Sequence, residues 1–159
     1  MNHHILKRRI KICIWIIIIG LALSGLTAFP LETELGILHQ HLSVNNPFYN
    51  WIGTIYNALK ITNHEFPYIS YGTDWLSFAH LIIAIAFIGP LKDPVKNIWI
   101  IEFGMIACIL IFPLALIAGP IRDIPIYWRL IDCSFGVIGL VPLYFCKINI
   151  KKLRETAPE

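Results

Sequence analysis

The chain has 159 residues, of which 57% are hydrophobic and only 14% charged, with a mean hydropathy of +0.66 and a formal net charge of +3. A soluble domain carries about 25% charged and 45–50% apolar residues, so this balance excludes an ordinary soluble fold and leaves no room for a second soluble domain of usual size. No basic face with interleaved aromatic readers occurs, so a nucleic-acid partner is excluded as well.

Four cysteines, Cys13, Cys108, Cys133 and Cys146, lie inside or at the edge of apolar runs, and no CxxC pair is present. Disulfide frameworks, zinc sites and dithiol redox centres need closer or paired spacing, so these thiols read as small packing residues. No cofactor and no metal is expected.

In chain order, the first apolar block is Ile12 to Phe29, 18 residues preceded by Lys7, Arg8, Arg9 and Lys11. About 20 residues cross the ~30 Å hydrocarbon layer, so this block reads as a first span. A basic stretch before an apolar run also marks a secretory signal, and Ser24, Gly25 and Ala28 would suit cleavage. The run exceeds the usual apolar core of a signal, and an uncleaved anchor is the expectation.

Residues 30–73 form a long insertion that keeps helical periodicity. Leu31, Leu35, Leu38 and Leu42 make one stripe; after Asn46-Pro47, read as a helix start, Phe48, Trp51, Ile52, Ile55 and Leu59 make another. Tyr49 and Tyr56 flank the second stripe, as aromatic residues do at a bilayer headgroup layer. This amphipathic helix either lies on the membrane surface or packs across the mouth of a helical bundle.

The second span is expected at residues 74–90, from a cap at Thr73-Asp74. The third is expected at 95–118, from Asp93-Pro94, kinked at Pro113. The fourth is expected at 127–146, with Pro142 near its end. Ten of the thirteen Lys and Arg fall at the two termini and in the Lys92–Lys96 turn; Lys60, Arg122 and Arg129 fall on the other side. The positive-inside rule then places both ends in the cytoplasm and the insertion outside. The fold class expected is an all-α, polytopic integral membrane protein. It has four transmembrane helices in one bundle and an amphipathic, extracytoplasmic helical insertion between the first two.

Ionisable groups inside a span are costly and persist when they are paired or line a cavity. Asp74, Ser77 and His80 descend one side of the second span, with His80 about 9 Å below Asp74. Arg122 and Asp123 sit in the following short connection, and Arg129, Asp132, Gly136 and Gly139 recur on one face of the fourth span. Asp74, His80, Arg122, Arg129 and Asp132 thus share an outer layer and form a candidate ligand site. Its arginines would bind a phosphate or carboxylate through bidentate hydrogen bonds. Asp132 beside His80 would orient one imidazole tautomer, the arrangement of a general acid or base. These two are the catalytic candidates, although no motif makes either assignment firm. The same groups equally fit an Arg129–Asp132 ion pair that fixes register and an interhelical hydrogen bond from His80.

Ser77, one turn from His80, is a weak nucleophile candidate. His39 and His41 point about 200° apart on a helix and do not share an ion there. Glu102 reads as a structural partner of Lys92, Lys96 or Lys147, and Gly104, Cys108, Ile111, Ala115, Gly136 and Gly139 as small residues that let helices approach.

Two function classes follow. In the first, the protein is an accessory or scaffold subunit of a membrane complex. It would dock a membrane-protein partner or a second copy of itself through Trp51, Ile55 and Leu59, surrounded by membrane lipids. In the second, it is a membrane enzyme or binding protein for an anionic lipid-linked or periplasmic ligand, using the Arg/His/Asp cluster. Composition and short loops fit a bacterial inner membrane.

Overall fold

The computed structural model describes residues 3–156, and among these residues it is helical without strands. The helices are α1 (His3–Ala28), α2 (Leu31–His41), α3 (Tyr49–Glu65), α4 (Pro67–Ala86), α5 (Ile88–Lys92), α6 (Ile98–Pro113), α7 (Gly119–Ile121) and α8 (Ile126–Glu155). A π-helical segment, Leu114–Ala118, joins α6 to α7. Four stretches are long and apolar enough to cross a membrane: His3–Ala28, Pro67–Lys92, Ile98–Ile121 and Ile126–Glu155. The chain divides into two compact units. One takes the stretches up to Ile19 and from Ala84 onward; the other is Gly20–Ile83. The divisions fall inside α1 and α4.

Proline decides where several helices begin. The residue before proline is pushed out of the α region, and Phe66, at φ −137° and ψ 56°, ends α3 directly ahead of Pro67. Pro67 then opens α4, where its missing amide hydrogen costs nothing. The helix therefore starts six residues before the Thr73-Asp74 cap that the sequence suggests, and Thr73 and Asp74 lie within it. Pro90 cannot donate to the Ala86 carbonyl, and the helix is interrupted there between α4 and α5.

Asp93-Pro94 also differs from its expected role. Asp93 is extended, its carboxylate accepts the Lys96 amide at 3.1 Å, and α6 begins only at Ile98 with Asn97 at its cap. The Asn97 side-chain amide donates to the Asp93 and Gly89 carbonyls at 2.9 and 3.2 Å, which stitches α5 to the start of α6. At the far end, Asp123 takes a left-handed conformation (φ 55°). Its amide bonds the Pro120 carbonyl and the Ile124 amide the Gly119 carbonyl, closing the last turn before Pro125 starts the return into α8. Pro113 lies inside the apolar stretch as expected, and the helix accommodates it by widening into the π segment that follows.

In the first unit, α6 lies along α8 at positions that lack side chains. A Cβ at Gly136 would stand 2.8 Å or less from the Cys108 backbone (2.7 Å to its carbonyl oxygen), and one at Gly139 would stand 2.8 Å from the Cys108 sulfur. Gly104 in turn receives the Phe87 ring and Leu143. The small-residue faces read from the sequence are therefore the contact itself. Ile101, Cys133, Leu143 and Cys146 are buried in this unit, with Leu6, Ile10 and Ile14 at successive turns of α1 and Ile150 and Leu153 on α8. Glu102 pairs with Lys147 at 2.8 Å, one of the three partners expected for it.

In the second unit, α2 and α3 pack as a helical hairpin. Asn46 accepts the Phe48 amide at 2.9 Å in the connecting turn, so α3 begins at Tyr49 rather than at Pro47. Leu35, Gly36, Ile52 and Gly53 are buried. Gly36 gives room to Tyr56, and Gly25 of α1 meets the Ser77 carbonyl of α4.

Overpacking a tight core contact costs about 1–3 kcal/mol. Gly136→Val should therefore lower the thermal midpoint of the detergent-purified protein clearly. Gly20→Val, where an added Cβ meets nothing within 4 Å, should leave it unchanged. Equal midpoints for the two variants would contradict the α6–α8 packing.

Candidate functional site

The unit Gly20–Ile83 holds a polar relay. Ser70, in the first turns of α4, donates its hydroxyl to the Asn63 side-chain carbonyl. The Asn63 amide donates to the Glu32 carboxylate at 2.5 Å. Three helices are thus tied by one line of hydrogen bonds, with its anionic end in the first turn of α2, where the helix dipole favours it. The relay lines a cleft of about 320 Å³, with Thr73 and Asp74 on its wall beside Leu31 and Leu59.

The other unit places Arg122 and Asp123 exposed on the turn between α7 and α8, and Arg129 in the first turn of α8. The aliphatic stem of Arg129 lies directly across Gly119, where any side chain would displace it. Its Nε is buried and has no hydrogen-bond partner. Asp132 is half-buried one turn further along, and among the described residues no salt bridge joins it to Arg129. The register-fixing ion pair is therefore not formed, and the two groups remain separate.

The remaining candidates are engaged locally. His80, in the second unit with Asp74, donates from Nδ1 to the Leu76 carbonyl at 2.8 Å. A carbonyl only accepts, so this bond fixes the Nδ1–H tautomer and turns the lone pair to Nε2. Ser77 is fully buried and gives its hydroxyl to the Thr73 carbonyl at 2.8 Å, which removes it as a nucleophile. His41 bonds the Ile37 carbonyl in the same manner. His39 stacks on Tyr49 at 4.5 Å and on Tyr56 at 6.2 Å, with its Nε2 over Gly53. Trp51, Ile55 and Leu59 are each half-buried on α3.

Of the five candidate ligand residues, Asp74 and His80 thus belong to one unit and Arg122, Arg129 and Asp132 to the other. Asp74 lines a cleft with further polar groups. The relay was not read from the sequence because its members are 31 and seven residues apart. A signal was nonetheless present. Asn63 continues the apolar row of Ile52, Ile55 and Leu59 at the next four-residue step, and Glu32 precedes Leu35 by three. A polar group on an apolar row needs a partner inside.

No protein-family model, curated protein or solved structure matches the chain.

Hydrogen bonds to a charged group contribute about 1.5–3 kcal/mol each. Asn63→Leu should therefore raise amide hydrogen exchange in α2 and α3 by about tenfold or more, leaving α6 and α8 as they were. Unchanged exchange in the hairpin would show that the relay does not hold it.

Proposed function

We propose that this chain is a small multi-pass membrane protein that serves as an accessory or scaffold subunit of a membrane complex, docking its partner through the α2–α3 hairpin. On this reading the four long helices cross a bacterial inner membrane as one bundle, both ends are cytoplasmic, and the hairpin stands outside.

Within each of the four apolar windows only 17–22% of residues are buried inside the protein. Soluble monomers rarely leave apolar patches of that extent in water, so lipid is the solvent these surfaces suit. Aromatic residues stand at the ends of the spans, as they do at membrane interfaces. Trp99 opens α6, Tyr127 and Trp128 open α8, and Tyr71 and Trp75 lie edge to face at 6.0 Å on the first turns of α4.

The observation that carries the docking role is the hairpin itself. It is clamped from within by Glu32, Asn63 and Ser70, yet it leaves Ile37, Leu38 and Ile61 exposed at 54%, 45% and 59%. A helical pair with its own internal tie and uncovered apolar side chains is a docking surface rather than a linker. Half-buried Trp51, Ile55 and Leu59 extend the same element.

One observation favours the second reading, a membrane enzyme or binding protein for an anionic lipid-linked or periplasmic ligand. The Nε of Arg129 is a buried donor without a hydrogen-bond partner, and Arg122 is exposed on the turn that precedes α8. An anion held between these two guanidinium groups would satisfy it.

A photo-reactive residue placed at Ile37 or Ile61 in the native membrane tests the scaffold role. The expected result is a discrete crosslink to one protein, absent when the probe stands at Lys152. Crosslinks to lipid alone from both hairpin positions would overturn the docking role.

A further inference from the structure

A groove of about 490 Å³ runs between the N-terminal half of α1 and the C-terminal half of α8, within one unit. Ile12 and Ile16 form one wall, Ile138, Pro142 and Phe145 the other, and Arg9 and Asn149 close one end. From Ile138 to Asn149 the helix rises about 16 Å, close to half of the ~30 Å hydrocarbon layer. The groove therefore has the depth of a single leaflet, is apolar along its length and is polar only at its mouth.

The mouth is cationic. Arg9 is exposed, and among the described residues it carries no ion pair. The same helix ends present Lys7, Arg8, Lys11, Lys151, Lys152 and Arg154, all exposed, against the single acid Glu155 among the described residues. Asn149, nearly buried, gives one amide hydrogen to the Phe145 carbonyl at 2.7 Å and keeps its side-chain oxygen as an acceptor for a hydroxyl. Pro142 has no amide hydrogen, so the Ile138 carbonyl loses its helical donor in the groove wall.

We infer that this groove is a site for one anionic phospholipid, an acyl chain lying between α1 and α8 and the phosphate held by Arg9. Net charge decides the headgroup, because a cluster of Lys and Arg next to a span recruits anionic lipid, whereas a zwitterionic one brings a cation alongside the same phosphate. A second helix would fit the apolar walls but would leave Arg9 unpaired against them. The inference rests on the membrane-spanning reading and is independent of the scaffold role.

Native mass spectrometry of the detergent-purified protein with added phosphatidylglycerol or phosphatidylcholine of identical chains tests it. One phosphatidylglycerol per chain should be retained in preference to phosphatidylcholine by about tenfold, since both offer Arg9 a phosphate but the surrounding Lys and Arg repel the choline cation of the second. Arg9→Gln should abolish the preference, Ile12→Trp should abolish retention of both lipids, and Lys60→Gln, on α3 in the other unit, should change neither. Equal retention of the two lipids would overturn the site, as would an Arg9→Gln variant that keeps its preference or a Lys60→Gln variant that loses it as fully. Release of the protein from membranes by an alkaline wash without detergent would instead contradict the membrane reading, and the lipid site with it.

Discussion

The contact between α6 and α8 closes to backbone distance because glycine stands at 136 and 139 against Cys108, and at 104 against Phe87 and Leu143. Apolar helices in lipid gain nothing by hiding apolar area from one another, so association depends on how closely their backbones approach. The rest of that unit is arranged around this approach. Phe87 reaches Gly104 because Pro90 interrupts the preceding helix at that point, and Asn97 ties the break to the start of α6. Further along the chain, the left-handed Asp123 returns α8 at once, so that its first turn lies beside Gly119. Enlarging Gly136 would press on the Cys108 backbone, and enlarging Gly104 or Gly139 would displace Phe87, Leu143 or the Cys108 sulfur.

The second unit uses a different kind of restraint. Its hairpin buries few large side chains, and the relay from Ser70 through Asn63 to Glu32 supplies the long-range connection that apolar packing does not. The two devices suit two surroundings. A glycine contact works where the solvent is apolar, and the relay adds a specific tie between helices that bury little apolar area. The proposed topology, with the hairpin outside the bilayer and α6 and α8 within it, assigns each device to the medium in which it is effective.

Much of this was legible in the sequence, and the reasons differ by element. The four apolar stretches, the small residues between α6 and α8 and the pairing of Glu102 follow from hydropathy and helical spacing, which are local properties. The helix starts were less legible because Thr73-Asp74 and Asp93-Pro94 resemble caps, while the Phe66-Pro67 and Pro90 constraints act through a missing amide and a forbidden conformation. The relay was not legible because its partners meet only after the hairpin folds. Among the candidate ligand residues, spacing placed Asp74, His80, Arg122, Arg129 and Asp132 on their helices and turns. It gave no way to foresee that His80 would spend its Nδ1 hydrogen on Leu76, or that Arg129 would lie over Gly119 without bonding Asp132.

The central claim is that the hairpin and the chain ends lie on opposite sides of a membrane. Single cysteines at Asn45, in the α2–α3 turn, and at Thr156, at the end of α8, report this directly in intact cells with a membrane-impermeant maleimide, the parent chain serving as blank. The account predicts labelling at position 45 in intact cells and at position 156 only after permeabilisation. Labelling of both positions from the same side would contradict it.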